Sequence, residues 1–160
     1  MKIRRHVVVA AALAAATLSG SAGAQDGRAT VRPADVPWPA ARAAGTGTSG
    51  AGGIETVVLK GDPAKPGLYT LLLRVAPNVR IQAHAHRDDR VATVVGGTWY
   101  FGYGDRFNEA ALQALEPGSF YTEPPGVPHF AMTKEQVVLQ ITGTGPSSTT
   151  YVDPANDPTR

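Results

Sequence analysis

Apolar and polar positions alternate over short distances through most of this chain. From Ile54 onward, runs rich in Val, Ile, Leu, Thr and aromatic residues recur between turn-forming pairs: Asp62-Pro63, Pro66-Gly67, Pro77-Asn78, Gly104-Asp105 and Pro117-Gly118. The pattern predicts strands near 54–60, 68–76, 79–86, 90–96, 98–103, 109–115, 118–123, 127–132, 136–143 and 149–152. Asn108 to Leu115 suits one helical turn on propensity alone, but it is short and uncapped, so a strand or turn is expected. Roughly ten short strands at close spacing predict an all-β fold, a sandwich or jelly-roll barrel. Within the strand at 136–143, Val137, Leu139 and Ile141 share one face and Val138, Gln140 and Thr142 the other. The first face belongs in the core; the second meets either solvent or a polar-lined cavity. Trp99, Phe101 and Tyr103 form an aromatic stripe by the same period, for core packing or for substrate stacking.

The N-terminus has a different texture. Met1-Lys2-Ile3-Arg4-Arg5 is positively charged, Val7 to Leu18 is apolar, and Ala22-Gly23-Ala24 is a small-residue cleavage pattern. Together they predict a signal peptide over residues 1–24 and a periplasmic or secreted product. The apolar run is shorter than the roughly 20 residues a membrane span needs. Cleavage removes Lys2, Arg4 and Arg5 from the 15 basic side chains, leaving 12 against 13 acidic ones. The basicity of the whole sequence therefore belongs mostly to the export signal, and no nucleic-acid or membrane partner is expected of the mature chain. Residues 25–53, rich in Ala, Gly, Pro, Ser and Thr, read as a flexible linker ahead of a single domain at 54–160. Trp38, between Pro37 and Pro39, either docks that arm or faces solvent.

No cysteine is present, which excludes disulfides, thiol chemistry and Cys-based zinc sites. Apart from His6 in the signal, the histidines are His84, His86 and His129. His84-Ala85-His86 places two imidazoles on one side of a strand, within reach of one metal ion. His129 follows the turn Pro124-Pro125-Gly126-Val127-Pro128 and opens the next strand.

These residues resemble the two motifs of the cupin superfamily. His84, His86 and Gly97 fit the spacing of the first motif, with Arg90 in its glutamate slot. Gly118, Pro124, Gly126 and His129 fit the second, with Thr133 in its final asparagine slot, and Asn78 stands where the first motif opens with Gly. The likeness extends over roughly residues 54–152. Gly61-Asp62-Pro63, Gly143-Thr144-Gly145-Pro146 and Tyr151-Val152-Asp153-Pro154 further resemble small exported bacterial cupins. The resemblance implies a single-domain jelly-roll β-barrel holding a divalent ion (iron, zinc, manganese or nickel) on His84, His86 and His129. It also implies self-association as a homodimer through outer strands.

Arg90 departs most from the pattern. Arg cannot ligate a metal, and a guanidinium roughly 6 Å from a divalent ion would be repelled by about 5 kcal/mol at an effective dielectric constant near 20. It is therefore expected to turn outward onto Asp88 or Asp89, or to face inward with an anion between, as a clamp for a substrate carboxylate. Gln82 and Glu123 are the candidate oxygen ligands, and Tyr100, Tyr103, Tyr121 and Gln140 the candidate pocket residues. Two functions are expected to compete. One is a metal-dependent enzyme, dioxygenase-like or an isomerase or lyase, acting on a small organic acid or phenol. The other is a non-catalytic barrel that binds a small anion or metal.

Overall fold

The computed structural model describes residues 28–39 and 45–160. The signal-peptide segment 1–24 lies outside the described residues. The chain divides into a unit Met1–Pro33, described only from residue 28, and a unit Ala34–Arg160, which contains all ten strands. Among the described residues no helix is long and apolar enough to cross a membrane.

The strands are β1 (Ile54–Lys60), β2 (Gly67–Val75), β3 (Arg80–His86), β4 (Arg90–Gly96), β5 (Trp99–Tyr103), β6 (Gln113–Leu115), β7 (Phe120–Glu123), β8 (His129–Met132), β9 (Val137–Gly145) and β10 (Thr149–Tyr151). They form two five-stranded sheets, ordered β1-β2-β9-β4-β7 and β10-β3-β8-β5-β6. Every pairing is antiparallel. The architecture is the expected all-β jelly roll, built as two sheets over one core. Period-two alternation produces that core: Leu71, Leu73 and Val75 of β2 and Leu139 and Ile141 of β9 meet Ile81, Trp99, Phe101 and Ala131 of the other sheet. The stretch 109–115 is both things its sequence allowed. Glu109–Ala111 is a single 3-10 turn, capped by the Asn108 side chain accepting from the Ala110 amide, and β6 follows.

Short loops carry the motif residues that lack functional atoms. Asn78 takes a left-handed conformation (φ 59°), the turn role that glycine would otherwise fill. Thr133 ties the same turn, donating to the Ala76 carbonyl at 2.7 Å and accepting from the Val79 amide at 2.9 Å. Gly97 has φ +73°, and a Cβ there would sit 2.3 Å from the Gln136 carbonyl oxygen. Gly97→Ala is expected to cost at least about 2 kcal/mol from left-handed strain and overpacking together. A urea midpoint unmoved by the substitution would contradict the turn.

The segment read as a linker is partly built into the domain. Residues 40–44 lie outside the described residues, but Thr48, Ser49 and Ala51 are buried. Thr149 Oγ1 donates to the Thr48 carbonyl and Tyr151 OH to the Ser49 carbonyl, each at 2.7 Å. Composition could not show this, because the segment is held by its backbone carbonyls. Trp38 docks under the Arg74 guanidinium, 4.4 Å from its ring centre.

Candidate metal centre

β3 and β8 run side by side with His84 opposite His129, so one ladder position brings the two motifs together. The Pro124–Pro128 turn is fixed to β3 by the Gly126 amide, which donates to the His86 carbonyl at 2.7 Å. The three imidazoles are buried, with ring centres 4.5–5.3 Å apart, and their ligand atoms all lie within 4.8 Å of one another.

The tautomers follow from what surrounds each Nδ1. A carbonyl oxygen only accepts, so His84 Nδ1–H donates to Gln82 O (2.8 Å), His129 Nδ1–H to Val127 O (3.2 Å) and His86 Nδ1–H to Ser148 O (3.2 Å). Each ring is thereby left with its lone pair on Nε2. Among the described residues His86 Nε2 is buried without a hydrogen-bond partner. Three oriented lone pairs, one of them orphaned, are a donor set that fits a divalent ion. Burial holds the imidazoles neutral: it is the main cause pushing His84 down to about 3, with the neighbouring His129 adding to it, and His86 down to about 2, with Arg90 adding to it. His129 is lowered by burial too, although Glu123 pulls the other way.

Arg90 does not point outward. Its guanidinium is buried and donates from Nε to Glu123 Oε2 at 2.7 Å, from Nη2 to the same oxygen, and from Nη1 to the Gly47 carbonyl. Asp88 is instead occupied by Tyr69 OH at 2.6 Å, and Asp89 is exposed. The anion that lets Arg90 face inward is thus the protein's own Glu123, which leaves the guanidinium no free fork for a substrate carboxylate. Burial alone would raise the Glu123 pKa, but Arg90, with His129 and His86 beside it, holds it down at about 2. Burial opposes the charge on Arg90, and Glu123 with its other acidic neighbours more than offsets it. Glu123 Oε2 lies 3.8 Å from Nε2 of both His86 and His129.

Gln82 is not part of this centre. A register shift between Ile81 and His84 breaks the alternation of β3, so Gln82 does not share the histidines' face. It lines a separate polar cleft with Asp105, Arg106 and Asp153. Strand parity also removes Gln140, which is exposed on β9, and Tyr100, whose ring lies 4.6 Å from Lys134 Nζ. Tyr103 is half exposed and donates to the Thr122 carbonyl at 2.6 Å. Tyr121 is buried in the cavity wall.

The cavity beside the histidines has a volume of about 30 Å³ and is walled by Trp99, Phe101, Tyr121, Leu139 and Ile141, with Thr48 and Ser49 of the N-terminal segment also lining it. Among the described residues Trp99 Nε1 and Tyr121 OH are buried there without a well-aligned hydrogen-bond partner, Tyr121 OH lying near the Trp99 and Glu123 side chains. The aromatic stripe is therefore split: Trp99 and Phe101 face the cavity, and Tyr103 sits beyond it. Tyr151, tilted against His84 at 5.3 Å, escaped the sequence reading. It stands opposite His84 in the β10–β3 register, which only the pairing of distant strands reveals.

No protein-family model matches the chain, and no curated protein does. Solved structures do. The polyketide cyclase RemF from Streptomyces resistomycificus aligns over 82% of this chain and 89% of its own, with a TM-score of 0.64 and 19% identity. A variant of salicylate 1,2-dioxygenase from Pseudoaminobacter salicylatoxidans, in complex with gentisate, aligns over 62% of this chain with a TM-score of 0.52 and 17% identity. The match spans 29% of that dioxygenase chain, so the present protein corresponds to under a third of it. At such identities the likeness concerns fold. The chain thus shares the double-sheet jelly-roll fold of these structures, with both histidine motifs meeting on adjacent strands of one five-stranded sheet.

Proposed function

We propose that this protein is a metal-dependent enzyme of the cupin type, exported by its N-terminal signal, that oxidises a small phenol or organic acid. The observation that carries the reading is the convergence of three neutral imidazoles, each with Nε2 free of the backbone, on a cavity with aromatic and aliphatic walls. A divalent ion held there would supply Lewis acidity and, were it iron, redox capacity. The chain's own residues would do the rest. Trp99, Phe101 and Tyr121 exclude water and offer ring faces, while Trp99 Nε1–H and Tyr121 O–H are buried donors for a substrate oxygen. Because Arg90 is already neutralised, the site favours a phenol over a strongly anionic substrate.

A second reading, a barrel that holds metal without turnover, is favoured by the size of the cavity. About 30 Å³ accommodates an ion or a water molecule but no aromatic ring. Under the first reading, the wall that includes Thr48 and Ser49 must therefore move to admit substrate. Metal analysis of the purified protein, followed by oxygen uptake on adding phenols to the iron-loaded form, separates the two. Stoichiometric metal with uptake is the expected result. Metal without turnover, for iron, manganese, nickel and zinc alike, would transfer the case to the second reading. Absence of metal binding would sink both.

A further inference from the structure

Arg90 and Glu123 are direct partners in the β4–β7 ladder. The slot that holds a carboxylate in the first cupin motif here holds a cation, and a carboxylate stands directly across on the neighbouring strand. Both side chains are almost wholly buried. Both guanidinium bonds to this carboxylate end on one atom, Oε2. The same oxygen is the one that lies 3.8 Å from Nε2 of His86 and of His129.

A carboxylate oxygen offers about two lone-pair positions, and on Oε2 both carry an Arg90 N–H. An ion held on the three Nε2 atoms would meet that oxygen already saturated. Without metal, a buried carboxylate so close to neutral imidazoles needs a cation beside it. With metal, the ion itself supplies the positive charge, and the salt bridge becomes a competitor.

Resting on the metal-centre reading above, we propose that Glu123 is a fourth metal ligand supplied from β7, and that Arg90 competes with the metal for Oε2 and so sets the affinity of the site. Arg90 is a positioning residue in this scheme. Its third bond, to the Gly47 carbonyl, keeps the guanidinium in place when Oε2 is released.

Cobalt(II) titration of the full chain, followed by its visible bands and by thermal melting, tests the proposal without any substrate. Glu123→Gln is expected to weaken cobalt affinity about 10-fold or more and to shift the bands. Arg90→Met should lower the melting temperature of the metal-free protein yet tighten cobalt binding about 10-fold, so that metal restores more stability than it adds to wild type. Should Arg90→Met fail to fold, Arg90→Lys serves: a single ammonium cannot reproduce the fork on Oε2 and should shift affinity the same way by less. Unchanged affinity and bands in Glu123→Gln would overturn the fourth ligand. Weaker cobalt binding in either Arg90 variant would overturn the competition. Cobalt binding absent in wild type would overturn the three-histidine centre and this proposal with it. Binding that His84→Ala abolishes but Glu123→Gln leaves intact would overturn only the proposal.

Discussion

Replacing His84 with alanine is expected to abolish metal-dependent stabilisation. For wild type at a metal concentration about 100 times Kd, binding to the folded state alone adds about 2.7 kcal/mol. For a domain of this size that is a rise of roughly 10 °C in melting temperature. His84 would supply one of three Nε2 ligands and is fixed by its bond to Gln82 O and its contact with Tyr151. Two remaining imidazoles hold an ion far less well, so the variant should show almost no rise. The comparison is made between each protein with and without metal, because the substitution also leaves a cavity and lowers the baseline. An equal rise in wild type and variant would remove the metal centre.

Acid is expected to unfold the metal-free protein steeply, and the sign follows from the histidines. Their pKa values are depressed in the fold, to about 3 for His84 and about 2 for His86, with His129 lowered as well. In the unfolded chain each returns to about 6.5, so below that pH the unfolded state binds more protons. Their contribution is therefore whole above pH 6.5 and is lost as pH falls toward the folded values. His84 and His86 each contribute a slope of about 1.4 kcal/mol per pH unit once their unfolded forms are protonated, about 3 kcal/mol per unit together, and His129 acts in the same direction. By pH 4 the loss from those two is about 7 kcal/mol, a large part of a typical stability of about 5–15 kcal/mol. Glu123, held at about 2 chiefly by Arg90 against the pull of burial, adds a loss of the same sign below pH 4.5. Chemical denaturation at intervals from pH 7.5 to 4.5 checks this, and His84→Ala should flatten the slope by about a third to a half. Constant stability across that range would mean that the imidazoles are not neutral in the fold.

The histidine triad was legible because its information is local. His84-x-His86 on a strand fixes two side chains to one face, and a turn of Pro and Gly followed by His129 marks a second strand start. The pocket residues were less legible. Tyr100 and Gln140 lie on the outer faces of strands whose inner faces are Trp99 and Phe101, Leu139 and Ile141. Gln82 was misplaced by one bulge, which no count of alternating residues registers.

What the sequence determined by itself is the all-β class, most of the strand positions and the three histidines of the candidate centre, since each depends on spacing within a few residues. Only the tertiary structure decided where Arg90 points, that Glu123 is its partner, and that Thr48 and Ser49 line the cavity. Those outcomes depend on which strand lies beside which: Arg90 and Glu123 are 33 positions apart in the chain and become neighbours only when β7 pairs with β4. A buried charge takes its direction from the nearest opposite charge, and adjacency of that kind is a property of the assembled sheet.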